Sequence, residues 1–146
     1  MNKHSLGFTL LEVLLAIVLI AILVGIGMPT YFTLIAKNDL DVAKNQVAQS
    51  LGRAKVLAIS SDGDITWGVK ILSGNIIVFK GVNYSSRDIN YDEVYGISLS
   101  VVASGLTEIV FSKMTGFPQS TGTITLTSNN GEIRNIAVNL KGTISY

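Results

Sequence analysis

The chain opens with a strongly apolar stretch. Nearly every position from 8 to 28 is apolar, and Glu12 is the one charged residue inside this run. A helix of about twenty residues spans roughly 30 Å, which is enough to cross the hydrocarbon core of a bilayer. The pattern therefore predicts a transmembrane helix over residues 8–28.

The hydrophobic pattern changes after Pro29 but stays helical. From residue 31 to about 59 apolar side chains recur at steps of three and four, which predicts an amphipathic helix over residues 29–61. The predicted apolar face consists of Leu40, Ala43, Val47, Leu51, Ala54 and Ala58. We expect one long helix, loosened or kinked where Gly25, Gly27 and Pro29 occur, because Pro29 has no N–H for the carbonyl of Gly25.

Residues 62–146 instead carry strand and turn patterns. Hydrophobic alternation and turn residues predict a hairpin formed by segments 66–72 and 75–80. The further predicted strands are 95–102, 108–112, 123–127, 132–141 (with Ile136, Val138 and Leu140 on one face) and 143–146. Segment 81–96 is predicted to be a polar loop whose tyrosines either contact a partner or cover the core. The expected fold class is α+β, a long N-terminal helix packed on a β-rich head of antiparallel sheet.

Composition removes several classes of function. The 146 residues carry a net charge of +1 without blocks of like charge, so the strongly basic surface typical of nucleic-acid binding is missing. The absence of cysteine excludes a disulfide framework, a thiolate metal site and a cysteine nucleophile. We expect no cofactor and no metal. Asp62-Gly63-Asp64 predicts a turn, because an EF-type calcium loop needs further oxygen ligands and a closing glutamate.

The first seven residues indicate a leader peptide. They carry Lys3 and His4, which places this end in the cytoplasm by the positive-inside tendency. A secretory signal has its small-residue cleavage site after the apolar region, whereas here the small-residue junction, Gly7-Phe8, precedes it. Cleavage there would leave the apolar run attached as an anchor, with the C-terminal domain outside the cytoplasm.

The carboxylate of Glu12 is the most informative single feature of the run. An acid near the centre of a bilayer costs roughly 2.5 to 3.5 kcal/mol, so such residues usually have a function. The segment Gly7-Phe8-Thr9-Leu10-Leu11-Glu12-Val13 resembles the class III signal of type IV pilins and type II secretion pseudopilins. That resemblance implies that a prepilin peptidase cuts after Gly7 and that the new N-terminal Phe8 is methylated. It also implies that Glu12 is the acid used in filament assembly, where it can pair with the amine of a neighbouring subunit, and that Pro29 kinks the helix.

The C-terminal half is similar to the FimT/GspH group of minor pilins and pseudopilins. The segments that carry this similarity are Val110-Phe111-Ser112, Gly116, Gly122-Thr123-Ile124-Thr125-Leu126, Ile136-Ala137-Val138-Asn139 and Gly142. The resemblance implies partners: prepilin peptidase, other pilins or pseudopilins in a filament, and inner-membrane lipid.

Three classes of function compete. A membrane-tethered enzyme is not expected, because His4 lies in the leader and no base is evident for a serine nucleophile. DNA-binding relatives in this group carry a basic Gly-Arg-x-Arg type ending, whereas this chain has Gly142-Thr143-Ile144-Ser145-Tyr146, with only Lys141 and Arg134 nearby. We therefore expect a structural minor subunit, most simply a GspH-like pseudopilin of type II secretion; the alternative is a FimT-like minor pilin, possibly one for DNA uptake.

Overall fold

The computed structural model describes residues 7–60 and 65–146, and residues 26–30 by their backbone alone. One helix, α1 (Leu10–Ser60), is followed by eight strands in the described part of the chain. The strands are β1 (Trp67–Leu72), β2 (Asn75–Lys80), β3 (Asp88–Gly96), β4 (Val101–Gly105), β5 (Glu108–Phe111), β6 (Gly122–Ser128), β7 (Ile133–Val138) and β8 (Ile144–Ser145). A 3-10 turn at Tyr84–Ser86 lies between β2 and β3. The chain divides into two compact units, Met1–Ile35 and Ala36–Tyr146.

The second unit contains two antiparallel sheets. The first sheet has the strand order β3-β2-β1-β5 and the second has the order β4-β6-β7-β8. The predicted hairpin is present about Ser73-Gly74, and in its register Leu72 pairs with Asn75 and Trp67 pairs with Lys80. The fold class is therefore α+β as predicted, a helix packed on antiparallel sheets. The strands form two sheets because β4 pairs with β6, while β5, which lies between them in sequence, joins the first sheet.

The amphipathic pattern of α1 identified its buried face correctly. All six predicted positions are fully buried: Leu40, Ala43, Val47, Leu51, Ala54 and Ala58. They share one hydrophobic core with residues of both sheets, among them Val78 and Phe111 of the first sheet and Ile124 and Ile136 of the second. At about 25 cal/mol per Å² of apolar surface removed from water, this common core is the main stabilising contribution to the unit.

The prediction of a polar loop over 81–96 was wrong. Residues Asp88–Gly96 form β3, an edge strand that pairs with β2 through partners such as Val94 and Ile77. Consequently the predicted strand 95–102 is also displaced: β3 ends at Gly96 and β4 begins at Val101. The sequence pattern did not indicate a strand here because aspartate and asparagine are depleted in strands. An edge strand such as β3 tolerates these residues best.

The tyrosines of this segment cover the core. The ring of Tyr84 packs edge-on against Phe79 with 5.7 Å between centroids, and the ring of Tyr91 meets Trp67 in the same way at 6.4 Å. Covering the core was one of the two interpretations of these side chains, and their packing supports it.

A second correction concerns Leu140: β7 ends at Val138, and the side chain of Leu140 is 78% exposed rather than on the buried face.

Candidate functional site

The predicted cleavage site lies ahead of the helix. Gly7, Phe8 and Thr9 are outside α1, and the side chain of Phe8 is 81% exposed. A Cβ built on Gly7 would meet no atom within 4 Å. A peptidase must bind its substrate with the scissile bond accessible and the backbone outside a helix. The Gly7-Phe8 bond has this arrangement.

Thr9 caps the helix that begins at Leu10. Its Oγ1 accepts a hydrogen bond from the backbone N–H of Glu12 at 3.3 Å, and its carbonyl oxygen accepts from the N–H groups of Glu12 and Val13. An N-cap threonine with a glutamate three residues later is the spacing of a capping box. Sequence reasoning missed Thr9, although the pattern Thr9-x-x-Glu12 was a sufficient signal for it.

Glu12 therefore sits in the first turn of α1, exposed to solvent. A negative charge in the first turn interacts favourably with the free N–H groups of the helix, typically by 0.3–1 kcal/mol. The acid thus has a local role within the subunit in addition to the assembly role predicted from sequence. These two roles are separable by mutation because the capping geometry does not require a full charge.

After Glu12, the helix surface is apolar on every side from Val13 to Val24. The large hydrophobic residues from Leu10 to Val24 are all between 46% and 82% exposed. A helix that is hydrophobic all round is stable only when other helices or lipid surround it. In the described part of the chain, no helical segment combines the length and the apolar character needed to cross a membrane.

The predicted kink falls partly outside the described residues. The backbone remains helical from 26 to 30, but Gly27 and Pro29 lie where only the backbone is described. Gly25 is described, and a Cβ there would meet no atom within 4 Å. Ala21 and Gly25 have the spacing that allows two helices to approach closely. Asp62-Gly63-Asp64, predicted to be a turn, also lies outside the described residues.

Polar contacts hold α1 against the head within the second unit. The guanidinium of Arg53 binds the carboxylate of Glu93 through two nitrogen–oxygen contacts, of 2.9 and 3.2 Å, and the hydroxyl of Tyr95 donates to the same carboxylate at 2.8 Å. The hydrogen bond from Arg53 is the largest cause that lowers the pKa of Glu93, and the hydrogen bond to Glu93 raises the pKa of Tyr95. This cluster joins the helix to the edge strand β3.

Three further contacts link residues 37–41 of α1 to the second sheet and to the loops beside its strands. Asp41 accepts from Arg134 at 2.9 Å, Lys37 contacts Glu132 at 3.3 Å, and the hydroxyl of Ser100 donates to Asp39 at 3.0 Å. The ion pair with Asp41 neutralises Arg134, one of the two basic residues considered for nucleic-acid binding. The backbone carbonyl of the other, Lys141, accepts from the ammonium group of Lys55 at 3.0 Å.

Among the described residues, no group of three histidine, cysteine, aspartate or glutamate side chains could hold a metal ion. The polar contacts named above are ion pairs and hydrogen bonds that join α1 to the rest of the second unit. The arrangement that carries functional information is therefore the N-terminal one. It consists of an exposed glycine–phenylalanine bond, a capped helix with an acid in its first turn, and an apolar helix surface.

Comparison with known protein families gives a match at the N-terminus. The family model for the prokaryotic N-terminal methylation motif matches residues 2–28. No curated protein and no solved structure shows significant similarity to the chain. The matched residues include Gly7, Phe8 and Glu12, which sequence reasoning had already assigned to processing, methylation and assembly. The N-terminal segment of this chain is a type IV pilin-like prepilin signal.

Proposed function

We propose that this protein is a structural subunit of a type IV filament system, processed by prepilin peptidase and assembled through its N-terminal helix. The observation that carries the proposal is the prepilin signal over residues 2–28, with its cleavage junction exposed ahead of the helix. Its role is structural rather than enzymatic. Its partners are the peptidase, inner-membrane lipid and other pilins or pseudopilins.

Processing is the first step of the proposed sequence. The peptidase cleaves the Gly7-Phe8 bond on the cytoplasmic side and removes residues 1–7, and the new amine of Phe8 is methylated. The apolar run 8–28 then anchors the subunit in the inner membrane with its head outside the cytoplasm. The exposed apolar side chains of residues 10–24 support this step, because only lipid or other helices satisfy such a surface.

Assembly follows when the helix leaves the lipid for a bundle of similar helices. The carboxylate of Glu12 then pairs with the Phe8 amine of a neighbouring subunit, because two charges that are costly alone in an apolar bundle become tolerable together. A wrong register leaves one of them unpaired, so the pair also selects the correct position. Gly25, Gly27 and Pro29 allow the helix to bend or partly unwind during extraction.

Within this class we favour a GspH-like minor pseudopilin of type II secretion, with a FimT-like minor pilin as the alternative. The neutral ending after Gly142 and the neutralisation of Arg134 by Asp41 both disfavour the DNA-uptake form of the alternative. A chromosomal deletion separates the two assignments. Loss of protein secretion with normal surface pili supports the pseudopilin, and the reverse phenotype supports the pilin.

The proposal is tested by co-expressing the full chain with a prepilin peptidase and measuring the intact mass of the product. The expected mass is that of residues 8–146 with one added methyl group. Gly7→Val should abolish cleavage, whereas the matched leader variant Ser5→Ala should be processed normally. An unprocessed wild-type chain in the presence of an active peptidase would refute the proposal.

A further inference from the structure

An exposed pair of aromatic rings follows the apolar run on α1. The rings of Tyr31 and Phe32 meet edge-on with 6.0 Å between their centroids. Their side chains are 62% and 65% exposed, and both belong to the first unit. Because neither ring is buried, the pair contributes to no hydrophobic core within this unit. An exposed apolar cluster of this kind indicates a partner outside the subunit.

The position of the pair along α1 matches the thickness of a membrane. The helix is continuous over Leu10–Ser60. Tyr31 follows Glu12 by about 19 residues, which is ~28 Å of helix at about 1.5 Å per residue. The hydrocarbon core of a bilayer is about 30 Å thick. No charged residue lies between Glu12 and Lys37 in the sequence. Glu12 and the aromatic pair therefore bracket one hydrocarbon core.

The kinds of side chain along the run agree with this spacing. Residues 9–30 contain no aromatic residue, and the large side chains exposed between Leu10 and Val24 are all aliphatic. Tyrosine is enriched at the boundary between hydrocarbon and water, because its ring is apolar while its hydroxyl can hydrogen-bond in the wet layer. Tyr31 lies where the run changes from aliphatic to aromatic, with Phe32 packed against its ring.

We propose that the Tyr31–Phe32 pair binds the lipid head-group layer on the outer side of the inner membrane before assembly, and that this contact sets the depth of the helix. The inference rests on the proposed function, in which the same helix is the membrane anchor. A neighbouring helix in a filament would also cover the rings, but it would not require one hydrocarbon thickness between the pair and Glu12.

The depth of the helix determines where the cleavage bond lies. With the pair at the outer boundary, Glu12 lies at the cytoplasmic boundary, so its charge avoids the cost of the bilayer centre before assembly. The Gly7-Phe8 bond then lies roughly 6–12 Å farther out, because residues 7–9 precede the helix and each adds up to about 3.3 Å. This places the bond at the cytoplasmic surface, where the peptidase acts. The aromatic pair is therefore a positioning element for processing.

The test measures depth with spin labels on the full chain in vesicles of phosphatidylethanolamine and phosphatidylglycerol. Because the chain contains no cysteine, Ile22→Cys and Tyr31→Cys can each be labelled at a single site. Collision of the label with oxygen and with a water-soluble nickel chelate reports its depth. The Ile22 label should be deep in the hydrocarbon, accessible to oxygen alone. The Tyr31 label should lie among the head groups, with intermediate accessibility to both reagents.

Cleavage by purified prepilin peptidase in the same vesicles tests the positioning role. Tyr31→Ala combined with Phe32→Ala removes both rings and should lower the cleavage rate about threefold or more, because the bond is no longer held at one level. Tyr31→Trp combined with Phe32→Trp keeps interfacial rings and should retain the rate. The matched control, Leu34→Ala combined with Ile35→Ala, removes two exposed aliphatic side chains from the same segment and should leave the rate unchanged.

Three results would overturn the inference alone. A Tyr31 label in water, or as deep as a buried Ile22 label, would refute the head-group contact and leave the proposed anchor intact. Equal cleavage of the wild type and the double alanine variant would refute the positioning role. Spin–spin broadening of the Tyr31 label that persists on dilution with lipid would assign the pair to a contact between copies of the chain. An Ile22 label in water would instead refute the anchor itself, and with it both proposals.

Discussion

The guanidinium of Arg53 on α1 and the carboxylate of Glu93 on β3 form a two-point ion pair between residues forty positions apart in sequence. Two-point arginine–carboxylate pairs constrain orientation as well as distance. This pair therefore fixes how the edge strand lies against the helix. The Tyr95 hydroxyl, 2.8 Å from the same carboxylate, adds a third group to the cluster.

The first prediction concerns the acid stability of this cluster. Because the pKa of Glu93 is lower in the folded protein than in the unfolded chain, its contribution to stability is complete above the unfolded pKa, about 4.3, and is lost as pH falls through the folded pKa. Glu93→Gln should therefore lower the melting temperature at pH 7 and reduce its fall between about pH 5 and 3. Thermal melts monitored by circular dichroism across this range provide the measurement.

The matched control for this experiment is Asp88→Asn on the same strand, whose carboxylate bonds locally to Asn90. The melting temperature of Asp88→Asn should fall between about pH 5 and 3 as steeply as that of the wild type. Equal pH dependence in wild type and Glu93→Gln would show that the ion pair contributes nothing to folding.

The second prediction uses two glycines in opposite surroundings. A Cβ on Gly68 in β1 would lie 2.5 Å from the ring of Phe79 and 2.9 Å from the carbonyl oxygen of Ile109 on the neighbouring strand. Gly68→Ala should therefore destabilise the protein by roughly 1–3 kcal/mol through overpacking. Chemical denaturation monitored by tryptophan fluorescence measures the change.

Gly52 in α1 serves as the control for the same substitution. A Cβ there would meet no atom within 4 Å, so Gly52→Ala should stabilise the protein by about 0.5–1 kcal/mol through helix propensity alone. A destabilising Gly52→Ala, or a neutral Gly68→Ala, would contradict the packing described for these two positions.

The third prediction addresses the cap at Thr9. Thr9→Ala removes the side-chain acceptor for the N–H of Glu12 and should cost about 1 kcal/mol of local helix stability, or about fivefold in amide protection. Hydrogen exchange of the Glu12 amide by NMR measures this effect. Thr9→Ser keeps the acceptor and should retain the protection, and equal exchange in all three chains would exclude a capping role.

The fourth prediction separates the two roles of Glu12. Glu12→Gln keeps a polar side chain in the first turn of α1 but removes the charge that would pair with a neighbour's amine. If charge pairing governs register, Glu12→Gln should be cleaved normally by the peptidase but should be incorporated into filaments at least tenfold less. Immunoblots of sheared filaments beside whole-cell levels give the comparison.

Glu12→Asp is the matched control, because it keeps the charge with a shorter side chain. It should be incorporated better than Glu12→Gln. Normal incorporation of Glu12→Gln would assign the acid to the helix terminus alone, and the proposed assembly through the N-terminal helix would then need another source of register.

The sequence alone determined what depends on local pattern. The steps of three and four from Leu40 to Ala58 predicted the buried face of α1, because a helix repeats every 3.6 residues and only one of its faces meets the sheets. The hairpin of β1 and β2 followed from alternation around Ser73-Gly74, and Gly74 indeed has a φ of 80°. The prepilin signal is likewise a contiguous pattern, and the family match covers it over residues 2–28, while the roles of Gly7, Phe8 and Glu12 stay predictions.

Only the tertiary structure decided what depends on pairing between distant segments. The strand β3 carries Asp88, Asp92 and Glu93, a composition that locally favours a loop. It is a strand because β2 supplies its hydrogen bonds, while Arg87 and Arg53 neutralise Asp92 and Glu93. The division into two sheets likewise rests on the pairing of β4 with β6, which skips the intervening strand β5. Strand pairing and ion pairs between distant segments produce no periodic pattern in the sequence, because the two partners of each contact are far apart along the chain.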